Sequence, residues 1–346
     1  MNKFLLFCLM INSLSDICAQ PKNYQVCIVA FYNLENLYDT INNQMVDDDE
    51  FTPSGAKKYT GEVYLDKLTK LATVLSQIGT DISKAGPALI GLAEVENDTV
   101  MNDLVHHPLL RHRHYQLIHY NSQDPRGVDV ALLYDPKYFI PEKAEKLFVQ
   151  LPRNSKEAFY TRDILYVKGQ LAGETVHVYV NHWPSRRGGE DRSVPARGAA
   201  ASVCRKHVSG IIEKEKDAKI IIMGDLNDNP DNPSITKILQ AKRNRSEVKP
   251  GELFNPWAEL YEKGIGTLAN RDNWGLFDQI IISHAWLPNP QEGLFYHQQA
   301  IFTRNFMMEN TGRYKGYPMR TWDGNTYRGG FCDHFPTYLI LLKKIN

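Results

Sequence analysis

The 346-residue sequence has no net charge, because 40 Lys and Arg residues balance 40 Asp and Glu residues. No global electrostatic field therefore attracts a polyanion, and any contact with nucleic acid would have to be local. The sequence also contains no internal repeat, no low-complexity block and no Pro- or Ser-rich linker that would separate two domains. We therefore expect one domain over residues 20–346, and we expect it to be a monomer.

Cysteine is scarce, and the five cysteines show no paired spacing typical of a metal site. Several catalytic signatures are also absent. The sequence has no HExxH pair of a zinc protease, no P-loop for nucleotide phosphates and no G-x-S-x-G elbow of a serine hydrolase. These absences exclude a disulfide scaffold and three common enzyme classes.

No apolar run is long enough to span a bilayer; the run at the amino terminus, Phe4–Ile11, is short. It follows the basic start Met1-Asn2-Lys3 and precedes Ala19, a small residue at a plausible cleavage site. This arrangement is typical of a secretory signal peptide. We predict a signal peptide over residues 1–19, a secreted or periplasmic mature protein and no transmembrane segment.

The stretch Lys219–Pro230 begins with β-branched apolar residues bounded by turn residues, which indicates a buried strand. Gly224 then allows the backbone to bend. Asp225 and Asn227 follow two residues apart, so on an extended chain their side chains point the same way. Taken alone, the Asn/Asp-rich turn is most simply structural. Its functional interpretation depends on the other strands.

Apolar patterns predict further strands and helices along the chain. The predicted strands are Tyr24–Asn33, Ala88–Glu94, Val128–Tyr134, Tyr160–Leu171, Thr175–Asn181, Leu276–Ser283 and Thr337–Leu342. The predicted helices are Glu62–Ile78, about Thr99–Val105, Pro195–Lys216 and Asn232–Gln240. Strands outnumber helices and alternate with them only in places, which favours two packed mixed β-sheets covered by helices.

Two further segments lack a clear period. The histidine-rich piece His106–His119 is broken by Pro108 and rich in arginine, so we predict an exposed loop leading into a strand rather than a metal site. The segment Arg304–Gly330 is rich in Gly, Tyr, Arg and Asn, and we predict an ordered loop over the site.

Polar side chains lie at or beside the ends of six predicted strands. They are Asn33, Glu94, His182, Asp225 with Asn227, Asp278, and Asp333 with His334. Oxygen ligands such as Asn33 and Glu94 suit Mg²⁺ or Mn²⁺ rather than structural zinc. A hard divalent cation with nearby carboxylates and histidines is the equipment that hydrolysis of a phosphate ester needs.

Six motifs carry a resemblance to a known family. They are FYNLEN at 31–36, GLAEVEN at 91–97, NHWPSRRGG at 181–189, GDLNDNP at 224–230, FDQIII at 277–282 and CDHFP at 332–336. Together and in this order they resemble the endonuclease/exonuclease/phosphatase superfamily, which includes deoxyribonucleases, apurinic endonucleases, neutral sphingomyelinases and inositol-phosphate phosphatases. The resemblance implies a four-layered α/β sandwich.

The same resemblance implies roles for individual residues. Asn33 and Glu94 become metal-site residues, and Asp333 lies beside the metal or the water. Asp225 orients or deprotonates the attacking water, and Asn227 contacts the scissile phosphate.

By the same resemblance, His334 would stabilise the transition state and would be held in its tautomer by Asp278. An Asp inside an apolar strand needs a partner, which His334 would supply. His182 matches a second histidine of the deoxyribonuclease-like members; the alternative is a histidine that caps a turn or fills the core. Arg162 matches a phosphate-binding arginine.

Arg186 and Arg187 lie in a turn flanked by glycines and could hold phosphate oxygens bidentately, or simply provide surface charge. The predicted function is a secreted or periplasmic, Mg²⁺- or Mn²⁺-dependent phosphodiesterase that acts as an endonuclease. The alternative is the same chemistry on a lipid, sugar or inositol phosphate. A catalytically inactive binding protein is a third hypothesis, disfavoured because Asp225, Asn227 and His334 are all present.

Overall fold

The computed structural model describes residues 23–152, 160–270, 272–287 and 293–345. The predicted signal peptide lies outside the described residues. Among the described residues, no helix is both long enough and apolar enough to span a bilayer. Cys27, Cys204 and Cys332 are buried and carry free thiols.

Seventeen strands are present in the described part of the chain. In chain order they are β1 Tyr24–Leu37, β2 Pro87–Val95, β3 Gln116–His119, β4 Asp129–Tyr134, β5 Phe139–Leu147, β6 Ile164–Leu171, β7 Glu174–His182, β8 Lys219–Asp225, β9 Ala241–Lys242, β10 Leu253–Phe254, β11 Leu268–Asn270, β12 Asn273–Gly275, β13 Asp278–Ser283, β14 Leu294–Ile301, β15 Trp322–Asp323, β16 Thr326–Tyr327 and β17 Thr337–Lys344.

Helices and helical turns connect these strands. The α-helices are α1 Gly61–Leu75, α2 Asp98–His106, α3 Glu190–Ile212 and α4 Ala258–Glu262, and a π-helical turn covers Ser234–Leu239. Short 3₁₀ turns cover Asp49–Phe51, Arg111–Arg113, Arg245–Glu247, His284–Trp286 and Asn305–Met307.

The strands form two large mixed sheets. The first sheet has the order β14-β17-β1-β2-β4-β3, in which β1 pairs parallel with β2 and antiparallel with β17. The second has the order β5-β6-β7-β8-β13-β10-β9, in which β7 and β8 are parallel and β13 is antiparallel to β8. The predicted fold class, two packed mixed sheets flanked by helices, is confirmed.

Side-chain alternation explains the layers. Along β8, Ile221 and Met223 pack between the two sheets, whereas Ile220 and Ile222 pack against the α3 side. The contact between the sheets is close, because a Cβ on Gly91 of β2 would lie 2.4 Å from the Met223 sulfur. Both faces of the central strands are therefore buried, which accounts for their nearly continuous apolar sequences.

The first sheet is covered on its outer face by α1 and α2. Leu68, Leu71 and Leu75 of α1 pack with Tyr32 of β1. Asn97 starts α2, since its side chain accepts hydrogen bonds from the N–H groups of residues 99 and 100 at 2.8 and 3.1 Å. The order helices, sheet, sheet, helix gives the four-layered sandwich.

Several predicted boundaries were wrong. Helix α3 begins at Glu190 rather than Pro195, because the Ser193 hydroxyl binds the carbonyls of residues 189 and 190 and supports a turn ahead of the proline. Strand β6 begins at Ile164 rather than Tyr160, so Arg162 lies before the strand. The two edge strands β5 and β14 were not predicted, since their exposed faces carry charged or polar residues.

The two segments without a clear period follow their predictions in outline. The histidine-rich piece contains one 3₁₀ turn and leads into β3. The segment 304–330 is mainly loop, with a 3₁₀ turn and the small β15–β16 hairpin.

Candidate active site

Four predicted site residues continue the faces that pack between the sheets. Asn33 is in phase with Cys27, Val29 and Phe31 of β1, and Asp225 with Ile221 and Met223 of β8. The same alternation places His182 of β7 and Asp278 of β13 on the inner face of the second sheet. The apolar space between the sheets therefore ends, at one rim, in a cluster of buried polar side chains.

Glu94 reaches this cluster through a backbone irregularity. In β2, Leu89 and Ala93 face the second sheet, so an unbroken strand would turn Glu94 the other way. The pairing with β4 shifts register between Ala93 and Val95, and Glu94 has a left-handed backbone with φ of 62°. The bulge re-aims the Glu94 carboxylate at the rim, as bulges near active sites commonly do.

A tight turn after Asn33 fixes both predicted metal ligands. Glu35 and Asn36 have left-handed φ angles of 49° and 61°. The N–H of Glu35 donates to Oδ1 of Asn33 at 2.9 Å, and the N–H of Asn36 donates to Oε2 of Glu94 at 2.9 Å. Because its Oδ1 accepts that bond, the amide of Asn33 directs Nδ2 to Oδ2 of Asp225 at 3.0 Å.

Asp225, Asp278 and His334 form a buried group within the site. Asp225 and Asp278 are directly opposite each other on β8 and β13. Nδ1 of His334 lies 2.8 Å from Oδ2 of Asp278. Burial raises the pKa of Asp225 to about 7, with His334 opposing the rise and Asp278 adding to it. Burial lowers the pKa of His334, but Asp278, Asp333 and Asp225 outweigh burial and raise that pKa well above its usual range.

His182 lies between the two carboxylate groups. Its Nε2 is 3.7 Å from Oε1 of Glu94 and 3.7 Å from Oδ2 of Asp225. Burial, with Arg162, Arg126 and His334, lowers the pKa of His182 well below its usual range, which favours the neutral ring. His182 is thus a buried rim residue beside both acids; its catalytic role stays a prediction.

Asn227 closes the turn after β8. Its N–H donates to Oδ1 of Asp225 at 2.9 Å, and its Nδ2 donates to the carbonyl of Trp183 at 2.9 Å. The residue has a left-handed φ of 49°. Asn227 therefore fixes the Asp225 carboxylate and joins β7 to β8, and its contact with a phosphate stays a prediction.

Two of the three predicted phosphate-binding arginines bind the protein itself. Arg162 is buried and donates to the carbonyls of His182 at 3.1 Å and Trp183 at 2.6 Å, and to Oδ2 of Asp124 at 2.8 Å. Arg162 therefore supports the end of β7. A phosphate would have to bind the N–H groups that these three contacts leave free, so phosphate contact stays a prediction.

Arg186 makes similar internal contacts. It donates to the carbonyl of Asn227 at 2.9 Å and lies 3.1 Å from Oδ1 of Asp228 and 2.8 Å from Oε1 of Glu190. Arg187, by contrast, is exposed. The turn that contains both arginines is therefore anchored through Arg186, and Arg187 is the one that faces solvent.

Asp333 lies at the other side of His334, with Oδ1 at 3.8 Å from Nε2 of that histidine. It belongs to a second group of donor atoms with Glu35 and Cys332, all within 4.8 Å of one another. Burial raises the pKa of Glu35 to about 7, and Asp333 adds to the rise. The Glu35 carboxylate accepts the N–H of Thr321 at 2.8 Å, which ties the loop 304–330 to the end of β1.

The donor set fits a hard divalent cation. Asn33 and Glu94 supply neutral and anionic oxygens, and Oε1 of Glu94 has Arg126 and His182 at 3.6 and 3.7 Å, beyond hydrogen-bond distance. In the described part of the chain, the buried Oδ1 of Asp278 has no hydrogen-bond partner. Asn33 and Glu94 would hold the cation, and Asp225 lies beside Asn33.

A two-sheet sandwich whose inner strand ends gather these carboxylates, amides and histidines has the arrangement of a metal-dependent phosphoesterase. The sequence profile of the endonuclease/exonuclease/phosphatase family matches residues 28–343. The chain therefore belongs to the endonuclease/exonuclease/phosphatase family, whose hydrolases depend on a divalent metal.

Solved structures share the fold at low sequence identity. A family protein from Bacteroides thetaiotaomicron has a TM-score of 0.56 and 14% identity, with 93% of this chain and all of that chain covered. A mannosyl-6-phosphatase from the same organism has a TM-score of 0.56 and 15% identity, covering 91% and 99%. D. rerio TDP2 complexed with a single-strand DNA product has a TM-score of 0.53 and 13% identity, covering 91% and 98%. A comparison with curated proteins finds no match.

Three residues important to the geometry were not predicted as site residues. Glu35 and Asn36 orient the predicted metal ligands Asn33 and Glu94 through backbone N–H groups, and Asp124 anchors Arg162. The first two lie inside the FYNLEN motif, which is the signal that could have identified them. Asp124 gives no such signal, because its partner is 38 residues away.

Proposed function

We propose that the protein is an exported Mg²⁺-dependent phosphodiesterase that hydrolyses nucleic acid. The observation that carries the chemistry is the buried contact of Asp278 with His334, 2.8 Å apart, with Asp225 opposite Asp278 on the neighbouring strand. The choice of nucleic acid is supported by the fold shared with D. rerio TDP2, whose structure holds a single-strand DNA product.

In the proposed reaction each buried residue has one task. When Mg²⁺ is held by Asn33 and Glu94, it would neutralise charge on the phosphate oxygens. Asp225, buried and in contact with Asn33, accepts a proton from the attacking water. His334, kept protonated by Asp278, donates a hydrogen bond to the phosphate oxygen on which charge develops. Asn227 holds the Asp225 carboxylate in place.

A second candidate substrate is a sugar phosphate. Two observations favour it: the chain has no net charge, and Arg162 and Arg186 use hydrogen-bond donors on protein acceptors instead of offering a basic groove. The mannosyl-6-phosphatase with the same fold makes this chemistry a specific alternative.

The two candidates are separated by a substrate panel. Purified residues 20–346 would be assayed with Mg²⁺ and with EDTA on single-stranded DNA, plasmid DNA, RNA, bis-p-nitrophenyl phosphate, mannose 6-phosphate and p-nitrophenyl phosphate. Asp225→Asn serves as the inactive control. Cleavage of nucleic acid that needs both Mg²⁺ and Asp225 supports the first candidate. Turnover of the monoesters alone moves the proposal to the second.

Export and oligomeric state are further parts of the proposal. Cleavage after Ala19 leaves 346 − 19 = 327 residues that start at Gln20 and form one monomeric domain. Mass spectrometry of the periplasmic or secreted fraction and light scattering on the mature protein test both parts. Leu6→Arg, which interrupts the apolar run, is expected to keep the full-length precursor in the cytoplasm. A full-length chain in the exported fraction contradicts the predicted cleavage.

A further inference from the structure

Arg126 lies at the rim of the site, in the segment between β3 and β4. One guanidinium nitrogen, Nη2, donates to Oδ1 of Asn36, and the other, Nη1, lies 3.6 Å from Oε1 of Glu94. The Arg126 side chain remains 34% exposed, whereas the Glu94 side chain is 13% exposed. Arg126 is therefore a cation at the boundary between solvent and a predicted metal ligand.

The backbone holds Arg126 in this place. Its N–H donates to Oδ1 of Asp124 at 3.0 Å, and its carbonyl accepts the Tyr38 hydroxyl at 2.7 Å. The next residue, Gly127, has a left-handed φ of 66°, and a Cβ there would lie 2.7 Å from the Val46 side chain. Backbone contacts within and around the loop therefore fix the position of Arg126.

Asp124 links this arginine to the rest of the site. Its Oδ1 fixes the Arg126 backbone, and its Oδ2 binds Arg162, which in turn holds the carbonyls of His182 and Trp183. The loop that carries Arg126 and the strand end that carries His182 are therefore one connected structure. Arg162 is buried, whereas the Arg126 side chain is partly exposed.

With a divalent cation on Glu94, the charge arrangement would favour an anion at this place. Glu94 would hold a divalent cation through Oε1, the same oxygen that faces Arg126. The divalent cation and the Arg126 guanidinium would both lie beside this one carboxylate oxygen and would repel each other. An anion that contacts both cations would offset this repulsion. A non-bridging phosphate oxygen has this property, since guanidinium groups bind phosphate oxygens directionally.

We propose that Arg126 is a substrate-binding residue that contacts a non-bridging oxygen of the phosphate group held beside Glu94. The inference rests on the proposed function only in requiring a phosphate at this site, and it does not depend on which ester is hydrolysed. Asn36 positions the guanidinium through Oδ1 while its N–H positions Glu94, so the substrate contact and the metal ligand are aligned by one residue.

The test measures phosphate binding and metal binding separately. The mature wild-type protein, Arg126→Gln and Arg126→Lys would be titrated with Mn²⁺ by calorimetry and then, loaded with Mn²⁺, with inorganic phosphate. We expect Arg126→Gln to weaken phosphate binding about 10- to 100-fold, as for loss of a charge-assisted hydrogen bond, while the Mn²⁺ affinity stays the same or rises because a competing cation beside Oε1 of Glu94 is removed. Arg126→Lys keeps the positive charge and is expected to lose less phosphate affinity than Arg126→Gln.

A matched control and the contrary outcomes make the result decisive. Arg111→Gln removes an exposed arginine from the Arg111–Arg113 turn and is expected to change neither affinity. A fall in Mn²⁺ affinity that equals the fall in phosphate affinity would show that Arg126 only supports Glu94. Unchanged phosphate binding in Arg126→Gln, in an enzyme that still hydrolyses esters, overturns the role of Arg126 alone. Failure of wild-type protein to bind phosphate with Mn²⁺ overturns the proposed function as well.

Discussion

Nδ2 of Asn33 donates to Oδ2 of Asp225 at 3.0 Å, although the two residues are 192 positions apart and lie in different sheets. This bond joins the predicted metal ligand on β1 to the proposed base on β8. The two halves of the site therefore come together only when the sheets pack.

The first prediction concerns this bond. Asn33→Ala removes a predicted metal ligand and the donor to Asp225, so we expect Mn²⁺ binding to weaken at least about 10-fold and kcat to fall with it. Calorimetric titration with Mn²⁺ checks the affinity. Asn42→Ala, an exposed amide on the neighbouring loop, is the control. Wild-type Mn²⁺ affinity in Asn33→Ala would remove Asn33 from the metal site.

The second prediction concerns the Asp278–His334 pair. Asp278→Asn keeps the shape but removes the charge that keeps His334 protonated, so kcat is expected to fall about 10²- to 10⁴-fold. His334→Gln is expected to lower kcat by a similar factor. The double variant Asp278→Asn/His334→Gln is expected to lower kcat little further, because the two residues act as a unit. Additive losses in the double variant would mean that the two side chains act independently.

The third prediction concerns stability. Nε of Arg197 lies 2.7 Å from Oδ1 of Asp228, and the Arg197 side chain is fully buried. Arg197→Met leaves the buried Asp228 with less compensation, so the free energy of unfolding is expected to fall by about 3–5 kcal/mol. Urea denaturation measures it. The double variant Arg197→Met/Asp228→Asn is expected to recover part of the lost stability. A loss under about 1 kcal/mol in Arg197→Met alone would show that Arg186 suffices to compensate the charge of Asp228.

The fourth prediction is a pH dependence outside the site. Nδ1 of His119 lies 2.8 Å from Asp98, and Nε2 lies 3.4 Å from Asp129. Burial lowers the pKa of His119, but the two carboxylates outweigh burial and raise it above 6.5. The native state then binds the proton more tightly than the unfolded state. The stabilisation is complete below about pH 6.5 and is lost as the pH rises through the folded-state pKa.

Urea denaturation at several pH values checks this sign. We expect the difference in unfolding free energy between wild type and His119→Gln to be larger near pH 6 than near pH 9. His112→Gln, at an exposed histidine of the same segment, is expected to show no such trend. A difference that grows with pH would contradict the ion-pair assignment.

Much of the site follows from alternation along strands. His182, Asp225 and Asp278 end apolar runs in phase with residues that face the other sheet, so their convergence could be predicted from the sequence pattern. The residue roles themselves came from the family resemblance. The metal, phosphate and proton-transfer roles remain predictions that the variants above address.

Other features depend on contacts that no local pattern encodes. Glu94 faces the site only because a bulge with a left-handed backbone turns it. The side-chain alternation along β2 alone would point Glu94 toward α1 and α2. The local sequence around Arg162 and Arg186 does not distinguish binding to phosphate from binding to protein. Apart from Glu190, which is four residues from Arg186, their partners lie 20 to 46 residues away. In the edge strand β5 only Phe139 is buried and the other positions are partly or fully exposed, so the strand has no apolar alternation that could identify it.

The most direct test is metal-dependent hydrolysis by purified residues 20–346. Bis-p-nitrophenyl phosphate and p-nitrophenyl phosphate would be assayed with Mg²⁺, with EDTA and after Mg²⁺ is restored, beside a folded His334→Gln variant. The account predicts turnover of at least one ester that EDTA abolishes, that Mg²⁺ restores and that His334→Gln reduces about 10³-fold. Turnover that is indifferent to EDTA or to His334 would contradict it.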